Sequence, residues 1–594
     1  MTESRATTVP ACLLERAARS PRATAFHRRT ADRWVGETWE SVLARVRTLS
    51  GHLIHLGLLP GDRVVIMMPT SIEWEVCHLA TLAAGGVVVG VDAHDAADNI
   101  RHIVRTVAPR ALFVAHQEQR RIIAEHMAAP PLFSVIDGPA TEDGCHSLHD
   151  LLDRPEAALD SWPRARPRDL ATIIFTSGST GQPKGVAYTH AQLCLACDAI
   201  LERFGSVGEG TRFACWLPLS NLFQRIINLC GMIRGGESYF VDNPTQIIDR
   251  LPEIRPTLFI GVPRFFEKLH AGIEDNLAKR PVWVRAGVRW ARRVGHRFRQ
   301  HERDGRRPNA LLSITHRLAD RLFLSRIRGL MGPDLRFMVS GSAPLPVWLM
   351  ENFHALGWLV LEAYGTSENV VPIAINSPAA YRFGSVGRAL PQNEVRLADD
   401  GELLVRGPGV FGGYYDSPTE ESPLDADGFL HTGDYARRDA DGFIWLAGRK
   451  SEVFKTSTGR RVAPVPIEAR LKQLPYVDHA VVFGRDRPVP VALLCVNTGQ
   501  LPDQPQDAAP LAAGTMKRIA DDLAAVCASL SGHDRPAGIL VSRETLTIAR
   551  GELTSNLKLR RAPIEARYRA HIDALYADLG RGRPQTDFAI REVP

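Results

Sequence analysis

Apolar runs of strand length alternate with stretches of helical spacing through the first 170 residues. Residues 62–68, Asp-Arg-Val-Val-Ile-Met-Met, predict a buried strand, and residues 71–82 a helix beginning just after Pro69-Thr70. A strand over 87–91, a helix over 97–107 and a strand over 111–114 continue the rhythm. Such alternation predicts βα units and a largely parallel sheet. The apolar run 171–175 predicts a further strand, 185–188 a short return strand, and Thr189 the N-cap of the helix that follows. From about residue 384 the texture changes to short alternating strands, 394–397, 402–406 and 442–446, separated by Asp-Asp-Gly and Asp-Ala-Asp-Gly turns. That is the signature of antiparallel structure. Beyond Gly448 an α+β pattern begins, with strands near 479–484 and 490–496 and helices near 466–474 and 515–530. Residues 498–514, rich in Pro, Gln, Asp and Ala, read as a solvated loop within it.

Composition narrows the class. At 594 residues the chain is long enough for about three or four structural units, and 45% hydrophobic with 23% charged residues is a soluble globular balance. Residues 1–8 are polar and lack the apolar core of a secretory signal, and the longest apolar run, 79–91, is too short to span a bilayer. Nine cysteines, an odd count, predict a reducing compartment and hence the cytoplasm. Cys194 and Cys197 have metal or redox spacing, but no second such pair or histidine cluster accompanies them, so they read as small hydrophobes on a helix. The net charge of +6 is unevenly spread. Residues 279–328 carry fifteen Lys or Arg against three acidic residues, a net +12, so the other 544 residues sum to −6.

Candidate chemistry starts at residues 175–186, Phe-Thr-Ser-Gly-Ser-Thr-Gly-Gln-Pro-Lys-Gly-Val. Backbone N–H groups, hydroxyls and a lysine in one loop behind a strand suit a polyphosphate. A Walker A loop would need glycine at 183 and Ser or Thr after the lysine. Here Pro183 and Gly185 stand at those places, which excludes it. The run Thr176-Ser-Gly-Ser-Thr-Gly-Gln-Pro-Lys-Gly185 instead resembles, throughout, the phosphate loop of the adenylate-forming superfamily, which contains acyl-CoA synthetases, luciferases and nonribosomal adenylation domains.

Further segments resemble that superfamily in its own order. Glu362-Ala-Tyr-Gly-Thr-Ser-Glu368 is similar to its adenine motif, Gly341-Ser-Ala-Pro344 to the small-residue turn across the purine, and His431-Thr-Gly-Asp434 to its ribose motif. Gly448-Arg449 is similar to the hinge, and the stretch from Leu553 to Arg561 to the terminal lysine motif. With Pro60-Gly-Asp-Arg-Val and Glu73-Trp, the resemblance covers nearly the whole chain. It implies an α/β fold with a large N-terminal adenylation domain over 1–448, made of βα subdomains and a small β-barrel-like subdomain. A small mobile α+β lid domain over 449–594 follows.

The resemblance also implies roles. Thr176, Ser177, Gly178, Ser179, Thr180, Gly181 and Lys184 would hold the phosphates of ATP. Gly341, Ser342, Ala343 and Pro344 would line one side of the purine, and Glu362, Ala363, Tyr364, Gly365 and Thr366 the other, with Tyr364 stacked on adenine. Asp434 and Arg449 would meet the ribose, Thr176 and Glu368 would hold Mg²⁺, and Lys558 would bridge carboxylate and phosphate in the adenylation step. Thr176, Glu368 and Lys558 are the candidate catalytic residues. The C-terminal domain would then rotate about Ser451, withdraw Lys558 and bring the 455–459 loop to the CoA channel.

Residues 216–225, 256–268 and 335–345 are most similar to the long-chain fatty acyl-CoA synthetases, as is the additional helical segment around 280–330. That places Trp216, Asn221 and Gly261 at the acyl end of the site. Asn221 replaces the subgroup's usual histidine, and Ser451 stands where the hinge commonly has Asp or Lys; both bear on chain length and on the balance of the half-reactions. The implied function is an ATP-dependent long-chain fatty acid–CoA ligase, with Mg²⁺ as cofactor and CoA as co-substrate. The alternative is an adenylating enzyme that passes the acyl group to a phosphopantetheinyl carrier protein or another acceptor. Within the basic segment, Val284, Val288, Ala291, Val294 and Phe298 recur at helical spacing among arginines. A helix packed on the domain with a solvated cationic face competes there with peripheral contact at the inner face of a membrane. No nucleic-acid-reading module accompanies the charge.

Overall fold

The strands and helices of the first 170 residues fall where the pattern places them: Arg63–Met67, Ile72–Ala83, Val87–Gly90, Ala97–Val107 and Ala111–Val114. A computed structural model describes residues 7–140, 142–154, 162–176, 182–416, 422–501, 511–528, 530, 532, 534–547, 549–553, 559–580 and 589–593. The chain divides into two units, one comprising 1–396, 404–431 and 440–444, the other 397–403, 432–439 and 445–594.

The first unit holds three sheets. One has eight strands in the order Tyr414–Tyr415, Lys184–Thr189, Leu170–Thr176, Val87–Gly90, Arg63–Met67, Ala111–Val114, Phe133–Ile136, Cys145–Ser147. From Leu170–Thr176 onward the pairs are parallel, as βα connections require, and the two strands at the other end pair antiparallel. Its central strands are covered on both faces, which explains why they read as unbroken apolar runs. In a second sheet Leu258–Gly261, Phe337–Ser340 and Val360–Tyr364 run parallel. Pairing continues antiparallel through Ala374–Ile375 and Gly387–Ala389 to Phe443 and Ile444. The third has four strands, Arg212–Cys215, Glu237–Phe240, Thr24–Thr30 and Arg33–Thr38.

Local signals explain the helix starts. Thr189 caps His190–Arg203 through a capping box with Gln192, and Ser71 caps Ile72–Ala83 by accepting from Trp74 N. Cys194 and Cys197 both lie buried on His190–Arg203, as expected of small hydrophobes. The basic amphipathic segment is the helix Val282–Arg303, whose Val288, Ala291 and Gly295 face inward. A Cβ on Gly295 would come 2.1 Å from Ala355 O, so glycine permits the helix to lie directly on Val347–Leu356.

In the second unit a four-stranded sheet runs Val477–Phe483, Val491–Val496, Gly538–Ser542, Ala589–Val593. Its strands are apolar on both faces. Val482, Leu494 and Ile539 pack with the helices Pro464–Leu471 and Ala513–Cys527, while Val481, Leu493 and Leu540 pack with Arg561–Gly580. Among the described residues no helix is long and apolar enough to cross a membrane.

Candidate active site

Three parallel strands of the first unit, Leu170–Thr176, Phe337–Ser340 and Val360–Tyr364, end in the segments the motifs single out. Carboxyl ends of parallel strands are where α/β sheets bind ligands, because the chain turns there and leaves N–H and hydroxyl groups to spare.

Thr176 is the last residue of its strand and faces Lys184 across the antiparallel pair, so these two hold the ends of the segment expected to bind phosphate. Ser177, Gly178, Ser179, Thr180 and Gly181 lie outside the described residues. The descending limb is anchored where His102 Nε2 donates to Pro183 O at 2.9 Å. Beyond it, Lys184 Nζ lies 4.8 Å from the centroid of the Tyr414 ring, a cation–π contact. Tyr414 in turn donates from its hydroxyl to Glu368 Oε1 at 3.0 Å. Tyr188 OH donates to Ser367 O at 2.5 Å, and burial pushes that phenol well above its usual range, so it stays a donor. Lysine, phenol and carboxylate thus form one connected row beside the loop.

In the turn expected to line the purine, Gly341 N donates to Gly261 O at 3.2 Å, and a Cβ at Gly341 would lie 3.3 Å from Phe223 Cζ. Ser342 adopts φ +71°, the left-handed region, and Ser342, Ala343 and Pro344 are exposed. The turn is held from behind by Glu362, whose Oε1 accepts from Leu345 N at 2.9 Å. Glu362 is 5% exposed, and desolvation raises its carboxyl to about 7 despite that bond. Ala363 and Tyr364 pair with Ile375 and Ala374, which leads the chain through Gly365 and Thr366 to Glu368.

Of the residues expected at the acyl end, Asn221 is the N-cap residue of Leu222–Arg234, without a side-chain capping bond. Trp216 is buried, donates from Nε1 to Ile260 O at 2.9 Å and stacks near Phe259, while Gly261 ends the strand Leu258–Gly261. One turn into the helix, Arg225 is fully buried, donates from Nη1 to Thr172 Oγ1 at 2.9 Å and lies over Trp74. Desolvation lowers its guanidinium to about 10.

Asp434 and Arg449, expected at the ribose, belong to the second unit. Arg449 Nε donates to Asp434 Oδ1 at 3.2 Å, so the two candidates meet directly. Gly433 N donates to Glu402 Oε1 at 2.9 Å, and Lys450 Nζ pairs with Glu402 and Asp400. Ser451 is exposed. Lys558 lies outside the described residues; on either side of that stretch Leu553 and Leu559 form an antiparallel bridge, and Arg561 is paired with Glu468.

Two hydroxyls of the first unit lack partners among the described residues. Ser340 Oγ and Thr366 Oγ1, at the ends of adjacent strands, are buried and have no hydrogen-bond partner among the described residues. Buried polar atoms are almost always paired, and an orphan beside a loop of this composition fits an absent oxygen-rich ligand. The metal fits as well. Among the described residues no cluster of three His, Cys, Asp or Glu could hold a metal ion, whereas Mg²⁺ commonly takes one carboxylate and completes its shell with phosphate oxygens and water. Glu368 supplies such a carboxylate.

Tyr414 is the residue that motif reading misses. It follows Gly412-Gly413 in a stretch that reads as a turn, and its meaning depends on pairing with the distant strand Lys184–Thr189.

The AMP-binding enzyme family matches residues 13–415, and the AMP-binding enzyme C-terminal domain matches residues 452–580. A long-chain-fatty-acid–CoA ligase of Mycobacterium bovis, FadD15, is 29% identical over 91% of this chain and 92% of its own length. The long-chain-fatty-acid–CoA ligase ACSBG2 of Xenopus laevis is 27% identical, covering 92% of this chain and 81% of its own. The crystal structure of the adenylation domain of a carboxylate reductase from Mycobacterium chelonae shares the fold with a TM-score of 0.76 at 20% identity, over 97% of this chain and 92% of that one. The chain belongs to the AMP-binding enzyme family, the adenylate-forming superfamily to which the acyl-CoA synthetases also belong.

Proposed function

We propose that this protein is an ATP-dependent long-chain fatty acid–CoA ligase working through an acyl-adenylate. The observation that carries the reading is the row Lys184–Tyr414–Glu368 beside the orphaned hydroxyl of Thr366. A cation, a neutral donor and a carboxylate at adjoining strand ends suit a polyphosphate with its metal. The names of the relatives support long-chain acids and CoA as the other two substrates.

In the first step a carboxylate oxygen of the acid forms a bond to the α-phosphorus of ATP, and pyrophosphate leaves with the bridging oxygen. In the second the CoA thiol loses its proton, its sulfur bonds to the acyl carbon, and AMP leaves with the oxygen the acid brought. Lys184 and the loop from Thr176 hold the phosphate charge through many weak donors. Thr366, whose hydroxyl has no partner among the described residues, would donate to the bound nucleotide. Mg²⁺, held by Glu368 with Thr176, would neutralise charge on the phosphates. Lys558 would stabilise the α-phosphate in the first step, and Ser451 would be the pivot between the two half-reactions. The acid partitions into bilayers, so the reading includes a peripheral contact at the cytoplasmic face of a membrane through residues 279–328.

Pyrophosphate release with a panel of straight-chain acids, with and without CoA, tests the proposal. Release with long-chain acids, and thioester only when CoA is present, is expected. No release with any carboxylate refutes adenylation, and release without thioester moves the acceptor to a carrier protein.

A further inference from the structure

The sequence draws attention to the helix Val282–Arg303, but that helix spends its apolar face on the domain. Gly295 lies against Ala355, and Gly287 lies against the ring of Phe323. The apolar surface left over is on the next helix, Ala310–Ala319, and its continuation Asp320–Leu324.

Leu311 is 72% exposed, Ile314 61%, Leu318 50% and Leu322 42%. Their spacing of three, four and four residues places them on one side of the helix, as a stripe roughly 16 Å long. Phe298 stacks on His316 and Gly287 meets Phe323, so the two helices run antiparallel. Trp283, one turn before Gly287 on the same side, extends the ridge at the Leu322 end and is itself 71% exposed. Of the fourteen large exposed hydrophobics among the described residues, seven lie within 282–330, about a twelfth of the chain. Scattered single hydrophobics are ordinary on a protein surface, whereas a concentration of this kind marks an interaction site.

The charge around the stripe identifies the partner. Arg317 and Arg321 alternate with Leu318 and Leu322, are exposed and have no ion-pair partner among the described residues, and Arg306 and Arg307 are exposed in the preceding turn. Two of the three acids of the segment are already engaged, Glu302 with Arg299 and Asp320 with Arg328, and the third, Asp304, lies in the turn before the helix. A second copy of the chain would set one cluster of +12 against another. A bilayer containing anionic phospholipid accepts both features at once, leucines among the acyl chains and guanidinium groups at the phosphates.

We infer that the helix Ala310–Ala319 with its continuation to Leu324 is a membrane-docking element, inserting Leu311, Ile314, Leu318 and Leu322 into the interface of an anionic bilayer while Arg317 and Arg321 bind lipid phosphate. The helix Val282–Arg303 is its platform and contributes Trp283 at one end. The purpose of the surface rests on the ligase reading, since it brings the enzyme to where its acid dissolves, but its existence is tested separately.

The full chain is floated with vesicles of phosphatidylcholine alone and of phosphatidylcholine mixed with phosphatidylglycerol, at low and high salt. Binding to the mixed vesicles, weakened by salt, is expected. The triple variant Ile314→Gln/Leu318→Gln/Leu322→Gln should lose at least about tenfold in partitioning, and Arg317→Glu/Arg321→Glu a similar factor, with unchanged melting temperatures because the side chains are exposed. Failure of the natural chain to bind the mixed vesicles, or undiminished binding by the triple variant, overturns the inference. So does sedimentation of the natural chain as a dimer that the triple variant dissolves, since a second copy would then cover the stripe. Pyrophosphate release with a long-chain acid solubilised in detergent micelles, in the absence of vesicles, is measured alongside. Its absence would refute the ligase reading while leaving docking standing, and its presence without vesicle binding would do the reverse.

Discussion

Glu362 is a carboxyl buried beneath the turn 341–344, and its proton makes one contribution to how stability varies with pH. The folded state raises it from 4.5 to about 7 by desolvation, against the Leu345 N–H that favours the ionised form. A group whose folded pKa is raised contributes stability that is fully present below its unfolded pKa and is lost as pH rises through the folded one. The loss is confined to the window from 4.5 to about 7 and amounts to about 3 kcal/mol at 1.36 kcal/mol per unit. Glu362→Gln has nearly the same shape, keeps an oxygen for Leu345 N and cannot ionise. The natural chain should therefore lose stability relative to the variant across that window. With an unfolding entropy of ~2.1 cal/mol/K per residue spread over the first unit, the difference in melting temperature should shift by about 3–4 °C. Paired calorimetric scans at one rate, from pH 4.5 to pH 8, cancel every other titration. A difference that is flat across the window, or that grows in favour of the natural chain, refutes the reasoning.

Other residues give sharper functional signatures. Tyr414→Phe keeps the ring under Lys184 but removes the hydrogen bond to Glu368; an interaction with a charged group of this kind is worth ~1.5–3 kcal/mol, so the magnesium requirement for pyrophosphate release should rise about ten- to a hundredfold. A magnesium curve superposable on that of the natural chain would break the link between the two residues. Thr366→Val removes a buried hydroxyl without a partner, so the ligand-free protein should gain about 1 kcal/mol while the KM for ATP rises. Loss of both stability and activity would mean the hydroxyl is satisfied within the protein. Lys558→Ala should abolish pyrophosphate release yet spare thioester formation from supplied acyl-adenylate, and equal loss of the two steps would contradict the assigned role.

Much of this was legible where the code is local. The helix Ala97–Val107 and the strand Ala111–Val114 carry their own periodicity, and Thr189 announces a helix because its side chain and that of Gln192 cap each other three residues apart. The segment expected to bind phosphate is marked in the sequence in the same local way, with hydroxyls, glycines and a lysine clustered behind one strand. Features that depend on distant partners were not legible. Tyr414 resembles any turn tyrosine until its strand pairs with Lys184–Thr189 and brings it between a lysine and a glutamate. Glu362 reads as an ordinary acid, because only burial makes its proton persist toward neutrality. In the basic segment, periodicity identified Val282–Arg303 as amphipathic but gave no sign that Gly295 and Gly287 would seat it on the domain and leave the outer surface to Leu311, Ile314 and Leu318.

The central claim, that the acid's own oxygen bonds to the α-phosphorus of ATP, is tested most directly by labelling. Fatty acid carrying heavy oxygen in both carboxylate positions is converted with ATP, magnesium and CoA, and the products are weighed by mass spectrometry. One labelled oxygen is expected in each AMP, none in the pyrophosphate, and one remaining in the thioester. Label appearing in inorganic phosphate alongside ADP would place the attack at the terminal phosphate and contradict it.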